Sequence, residues 1–245
     1  MEREIKKKMV ILKNRLPFDV QVKKYIDEIE QVDWVYSNLR LDGSSLSREM
    51  VNGMVKGDMV LQGRIADHIL AQRLEDVREY LYRQLSLHRG IEMSLLLDTA
   101  RILGDSKDKC TSNSEEFMRK STPQLIEYDY TPPLPMEIGG RLEKLMLFAG
   151  HKKSFANPFN DAAYIHNELL AIWPFKQNNE FIARAICQYR LMLEGFPVSP
   201  TDISESEYHQ IMVRYFKTHN NQELASILTK ETYKRLELMI QLTAF

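Results

Sequence analysis

The sequence predicts a mainly α-helical protein, and three features carry the prediction. Apolar residues recur every three or four positions along nearly the whole chain, the spacing of one helix face rather than of a strand. Glycine is scarce, at 10 of 245 residues, against a usual share of roughly 7%. Few glycines mean few tight turns, which disfavours a many-stranded sandwich or barrel. Only residues 124–130 alternate, after the leading Gln124, in β-branched and aromatic side chains, and they are the one plausible strand or hairpin arm. With 44% hydrophobic and 27% charged residues, the chain has the proportions of a globular protein with a real core rather than of a disordered one.

The elements follow in order. Val22, Tyr25, Ile26, Ile29, Val32 and Val35 form one stripe, and their helix should run to Leu41 and stop at Asp42-Gly43, where glycine can take a left-handed cap. Ser44 or Ser47 then offers a capping hydroxyl for a short helix through Val55. Ile65, Ile69, Leu70, Leu74, Val77 and Leu81 mark a longer helix. Met93, Leu96, Leu97, Ala100 and Leu103 mark another, closed by Gly104. Residues 105–116 read as polar loop, and Pro132-Pro133 ends the β-like stretch because proline cannot continue a sheet ladder. Helices resume at 136–149 and 159–171, break at Trp173-Pro174, and continue at 184–194, 205–218 and from 221 to the end. No repeat, low-complexity tract or linker divides the chain. Residues 1–90 are read as N-terminal helices packed on a core of 91–245, the whole a single structural unit.

Charge and motif content exclude several classes of function. Lys+Arg minus Asp+Glu is 33 − 34 = −1, which leaves no basic excess for neutralising nucleic-acid phosphates. No window approaches the ~18 apolar residues of a membrane span. The start, with its acids and its Lys6-Lys7-Lys8 run, resembles neither a signal peptide nor a transit peptide, so a cytoplasmic location is expected. Cys110 and Cys187 make neither a disulfide framework nor a thiolate metal cage. The six histidines include no pair at i, i+4 with an acid between them, and the common phosphate loops and the nucleophile elbow are missing. The twelve methionines read as helical core filling.

One stretch stands out. Residues 162–184 run as a helix, a Trp173-Pro174-Phe175 break, a polar loop and a second helix start. Such a loop can deliver unpaired N–H groups and a helix dipole to an anion; it can equally be a plain helix–loop–helix corner capped by Asn178 or Asn179. The block resembles the core of the Fic (Fido) family, whose motif reads His-Pro-Phe-x-Asp/Glu-Gly-Asn-Gly-Arg-x-x-Arg between two helices. In register, this chain has Trp173-Pro174-Phe175-Lys176-Gln177-Asn178-Asn179-Glu180-Phe181-Ile182-Ala183-Arg184. His166 seven residues before the motif, Gly195-Phe196-Pro197, Tyr208, Arg119 and Thr131-Pro132-Pro133 match further features in the same order, so the resemblance covers about residues 35–240. Ser37-Asn38 through Asp42-Gly43 resembles the family's inhibitory helix.

The resemblance implies a Fic-type helical domain with a small β-hairpin flap at Leu125, Ile126, Glu127, Tyr128, Asp129 and Tyr130, and an ancestry of moving AMP from ATP onto a hydroxyl. It also implies that each catalytic role is lost. Trp173 stands at the base position, and an indole N–H is a donor with no lone pair to take a proton. Gln177 replaces the magnesium carboxylate. Asn178 and Glu180 replace glycines, where side chains would crowd the backbone and strain glycine-specific torsions, and Glu180 adds negative charge. Phe181 replaces the phosphate-clamping arginine. No metal site and no cofactor are expected; ATP and Mg²⁺ enter only under the rival reading of a divergent transferase. His166 is read as a structural histidine. Arg184 matches the arginine that the inhibitory acid pairs with, so Asp42 is predicted to approach it; the plain alternative is that Arg184 pairs only with Glu180 on its own helix. The flap either covers a vacated pocket or retains extended-peptide binding. The expected partner is another protein, with neither nucleic acid nor membrane, and a homodimer is open.

Overall fold

The structure, a computed structural model, describes residues 1–58, 60–104, 117–150 and 157–244. The polar loop read at 105–116, Cys110 and His151 lie outside the described residues. Among those described, ten α-helices follow one another: α1 Glu2–Asn14, α2 Val20–Leu41, α3 Arg48–Val55, α4 Ile65–Ser86, α5 Met93–Leu103, α6 Ile138–Gly150, α7 Pro158–Ile172, α8 Asn179–Leu193, α9 Glu205–Thr218 and α10 Gln222–Leu242.

Short polar side chains set several starts. The Asp19 carboxylate accepts from the backbone N–H of Gln21 at 2.8 Å, and the Ser47 hydroxyl from that of Met50 at 3.3 Å. Asn157 and Ser204 do the same for α7 and α9. Each such cap satisfies a donor that the helix leaves orphaned and contributes about 1 kcal/mol. α2 ends as its sequence predicts: Gly43 takes φ +72°, and the N–H of Ser44 returns to the carbonyl of Leu39 at 3.0 Å.

The fold is organised around α8. Every residue from 181 to 192 on this helix is buried, the condition of a helix enclosed on all sides. α7 lies along it, α4 and α5 flank it, and α10 closes the other side of α7 and carries α1. Complete burial of residues such as Ile186 and Leu191 contributes roughly 1.5–3 kcal/mol each. Two polar residues of α8 reach its neighbours, Gln188 at the carbonyl of Pro197 and Arg190 at the buried Asp161, 2.9 Å away.

Four expectations change. α1 is a full helix although its spacing was masked by lysines: Ile5, Met9 and Leu12 recur at i, i+4 and i+7, and Ile5 and Leu12 are buried against the core. α8 begins at Asn179, five residues before the predicted start. Tyr25, Ile65 and Ile69 are exposed rather than core. The β-hairpin flap is not a hairpin: residues 125–130 form one antiparallel bridge between Leu125 and Tyr130, around a 3₁₀ turn at Ile126–Tyr128. Pro123 before it and Pro132-Pro133 after it leave no length for two paired arms, and Asp129 at φ +48° closes the turn tightly.

Candidate functional site

The corner between α7 and α8 is held by backbone-directed side chains. α7 ends at Trp173 in the left-handed conformation, φ +47°. Its last carbonyls would be orphaned, and Arg119 supplies donors: Nε to the Trp173 carbonyl at 2.6 Å and Nη2 to that of Ile172 at 3.2 Å. The same guanidinium donates to the Ser121 carbonyl at 2.9 Å. The backbone N–H groups of Arg119 and Lys176 donate to the carbonyls of Pro174 and Phe117, both at 3.0 Å, framing a bridge between Met118 and Phe175. Asn179 then closes the loop on itself, accepting from the Phe175 N–H at 2.9 Å and donating to the Phe175 carbonyl at 2.8 Å.

Asn178 occupies the left-handed region at φ +63° and donates its side-chain amide to the Leu103 carbonyl at 2.7 Å. A glycine-type torsion thus remains at Asn178, where asparagine tolerates it better than other non-glycine residues, and none is present at Glu180, which is helical. What changes is the occupancy of the helix start. The Glu180 carboxylate sits in the first turn of α8, where a negative charge is favoured. One oxygen accepts the hydroxyl of Tyr128 from the flap, and the other lies 3.7 Å from Nη1 of Arg184.

Arg184 is 8% exposed. Its Nε donates to Oδ1 of Asn38 at 2.8 Å, while Nη1 and Nη2 have no hydrogen-bond partner among the described residues. Its guanidinium lies 4.6 Å from the ring of Phe181 and 5.4 Å from that of Tyr208, distances suited to cation–π attraction. The predicted Asp42–Arg184 ion pair is not formed within 4 Å. Asp42 is the cap residue of α2, past the helix face that meets the core. Asn38, one turn earlier and 4% exposed, reaches the arginine instead, and its own amide donates to the Trp34 carbonyl at 2.8 Å. Both partners weighed for Arg184 thus have a counterpart: a long-range contact, through Asn38, and Glu180 on its own helix. Asp42 and Gly43 lie outside this contact, with Gly43 close to the Glu205 carboxylate.

The flap lies flat on the corner. Tyr128 packs edge-on against His209 and Phe216, with ring centroids at 5.0 and 5.8 Å, and 6.0 Å from Trp173. Tyr130 stacks on Phe216 at 4.1 Å and donates to the Ala171 carbonyl at 3.0 Å. Burial, with the charges of Tyr208 and Glu180 behind it, drives the Tyr128 hydroxyl far above its usual pKa, so it remains a donor. His166 is 1% exposed, with Nδ1 2.9 Å from Oδ1 of Asn167 and Nε2 2.9 Å from the Tyr208 hydroxyl. Burial pushes its pKa down to about 4, so it is neutral near pH 7 and has both nitrogens engaged in the frame. Lys176 and Gln177 point outward and are exposed. Gln177 offers a neutral amide where magnesium prefers carboxylate and phosphate oxygens, and no cluster of three or more His, Cys, Asp or Glu among the described residues could hold a metal. The Tyr128–Glu180 contact was not predicted: its partners are 52 residues apart and no local spacing links them.

A bundle of helices wrapped on one buried helix, with a flap over a Pro-Phe loop, defines a Fic-type fold. Residues 90–191 match the model of the Fic/DOC family. The chain is similar to protein adenylyltransferase fic-1 of Caenorhabditis briggsae and of Caenorhabditis elegans, 24% identical in each case over 183 residues. That match covers 72% of this chain and 35% of each relative, so the chain spans about a third of their length. Among solved structures, a Fic domain containing signaling protein from Bacteroides thetaiotaomicron superposes with a TM-score of 0.79 at 18% identity, covering 99% of this chain and 97% of that one. Fic-1 of Caenorhabditis elegans superposes with a TM-score of 0.73 at 17% identity, covering 98% and 70%. The chain carries a Fic/Fido domain. No helix among the described residues is long and apolar enough to cross a membrane.

Proposed function

We propose that this is a Fic-fold protein that no longer transfers AMP from Mg·ATP and that acts through contacts with other proteins. One observation supports the reading above the rest: the chain's own Glu180 carboxylate stands in the first turn of α8, between the flap hydroxyl of Tyr128 and the guanidinium of Arg184. An incoming triphosphate would meet that carboxylate at close range, and like charges so placed cost several kcal/mol. Trp173 at the base position removes a proton-transfer contribution of typically ~10²–10⁴-fold. Phe181 is 5% exposed beneath Arg184 and offers no second guanidinium.

A second reading rests on the two unpartnered Nη atoms of Arg184. A buried guanidinium with spare donors has unused capacity for an anion, which would suit a divergent transferase whose flap opens. Thermal melting with millimolar ATP, with and without Mg²⁺, separates the two readings. A silent site shows no shift, and incubation with labelled ATP and candidate proteins leaves no transferred label. A rise in melting point on adding ATP, or labelled product, would favour the transferase.

A further inference from the structure

A groove of about 810 Å³ opens at the far end of α8, where the α1–α2 connection, the end of α4 and α10 meet the turn after Leu193. It shares no lining residue with the 173–184 loop. Its walls are apolar, with Met9, Leu16, Phe18, Leu85, Phe196 and Met239 among them, and Leu16 is 59% exposed. A cleft of this size and lining suits a small molecule.

One buried acid faces this apolar space. Glu30 lines the groove and is 5% exposed. One of its oxygens accepts the Tyr82 hydroxyl at 2.9 Å; the other accepts no hydrogen bond from any described residue. Arg235, Arg78 and Asp27 lie close enough to act on Glu30 by their charge, but none hydrogen-bonds to it among the described residues. Lys23 pairs with Asp27 at 2.5 Å, and Glu194 with Arg190 at 2.8 Å, so these cancel along the rim. Arg235 turns to Asp33, and Arg78 lies over the Tyr82 ring, 5.0 Å from its centroid. Lys13, the remaining lining cation, is solvent-exposed at the mouth.

Burial pushes the Glu30 carboxyl above its usual pKa, with Tyr82, Arg235 and Arg78 opposing the shift; a cation seated beside it would favour its ionised form, which is acceptor-only and bonds charged donors most strongly. We infer that this groove binds a small amphiphile with an apolar body and one protonated amine, the amine donating to the open oxygen of Glu30 and the body lying along the Met9–Phe196–Met239 wall. An alcohol of the same shape would keep the apolar contacts and lose the charge-assisted bond. A carboxylate of the same shape would meet Glu30 as a like charge.

Isothermal titration of the full chain at neutral pH, with octylamine, 1-octanol and octanoate each kept below its micelle concentration, tests the inference. Octylamine should bind at least 10-fold more tightly than octanol, and octanoate more weakly than either. Glu30→Gln should reduce octylamine to the affinity of octanol while leaving octanol unchanged. Met239→Trp, which fills the groove, should abolish both; should Glu30→Gln fail to fold, this variant and the ranking of the three probes on the natural chain decide the matter. Equal binding of amine and alcohol, binding that survives Met239→Trp, or no binding of octylamine at all would overturn it.

Discussion

The contact between Tyr128 and Glu180 makes the sharpest claim of the site, because it ties a flap to a helix start that the sequence places 52 residues away. Tyr128→Phe removes the hydroxyl and keeps the ring against His209 and Phe216, so it isolates the hydrogen bond. Tyr128 is 2% exposed and the Glu180 side chain 17% exposed, so solvent replaces little of what is lost. A hydrogen bond to a charged acceptor contributes about 1.5–3 kcal/mol. For a chain of this length each kcal/mol moves the melting temperature by roughly 2–4 °C, so Tyr128→Phe should lower it by roughly 3–12 °C. Glu180→Gln should cost less, since an amide still accepts the hydroxyl while giving up the attraction of Arg184 at 3.7 Å. Glu180→Ala removes the acceptor altogether. In the double variant with Tyr128→Phe, the losses should fall short of additivity by at least about 1 kcal/mol, the signature of direct contact. The assay is chemical denaturation of the four proteins under one buffer. Strict additivity, within about 0.3 kcal/mol, would mean that the two groups do not touch and that the flap is not latched to the loop.

Three other outcomes follow from the same frame. Asn179→Ala orphans the buried N–H and carbonyl of Phe175, each group costing about 1–3 kcal/mol, and calorimetry should register a loss near the sum; a change under about 0.5 kcal/mol would show that the loop does not depend on this side chain. Arg119→Met removes donors from the carbonyls of Ile172, Trp173 and Ser121 and should destabilise by a similar amount, with faster amide exchange at Lys176, whose N–H lies in the bridge that Arg119 flanks. His166, with a folded pKa near 4, takes its proton in the unfolded chain at about 6.5, so its contribution is complete above pH 6.5 and is lost as the pH falls toward 4; the total is about 3 kcal/mol. His166→Gln should therefore differ least from the natural chain near pH 4, and a stability difference independent of pH would show that the histidine is not held neutral.

How much of this was legible in the sequence depended on how far each signal reaches along the chain. α9 was read to the residue because its stripe is regular, and the end of α2 because Asp42-Gly43 carries its own stop. The break at Trp173-Pro174 was legible, but the Asn178 or Asn179 cap read there is not formed: Asn178 makes no side-chain cap bond and Asn179 acts on Phe175. α1 was hidden because Lys6, Lys7 and Lys8 fill the positions between Ile5 and Met9, and its burial is decided by α10 at the opposite end of the chain. The flap was misread because alternation is a property of side chains, whereas pairing needs length on both sides, which the prolines deny. The hydrogen-bond partner of Arg184 lies one helical turn before the residue predicted to pair with it. Asp42 feels the charge of Arg184 without forming an ion pair within 4 Å, and Asn38, 146 residues from the arginine in sequence, makes the hydrogen bond.

The proposed function implies a corner that keeps its shape without AMP transfer. The groups that give the corner its shape act on backbone: Arg119 on carbonyls, Asn179 on Phe175, Asn178 on Leu103 while adopting a left-handed torsion. None of these needs a nucleotide to be satisfied. On the proposed reading the motif positions for phosphate and metal hold Trp173, Gln177, Glu180 and Phe181, of which Phe181 is buried and Glu180 holds the flap hydroxyl. A loop can keep its geometry under selection for stability alone, because each shaping side chain would leave a buried polar group unpaired if lost. The unpartnered Nη atoms of Arg184 are the exception. Among the described residues their hydrogen bonding is incomplete, with the Tyr208 hydroxyl nearby, and Glu180, 3.7 Å away, supplies charge there. Glu180→Ala should therefore leave the arginine the strongest anion site of the corner, and inorganic phosphate should stabilise that variant more than the natural chain; equal stabilisation of both would mean that Glu180 does not occupy the seat.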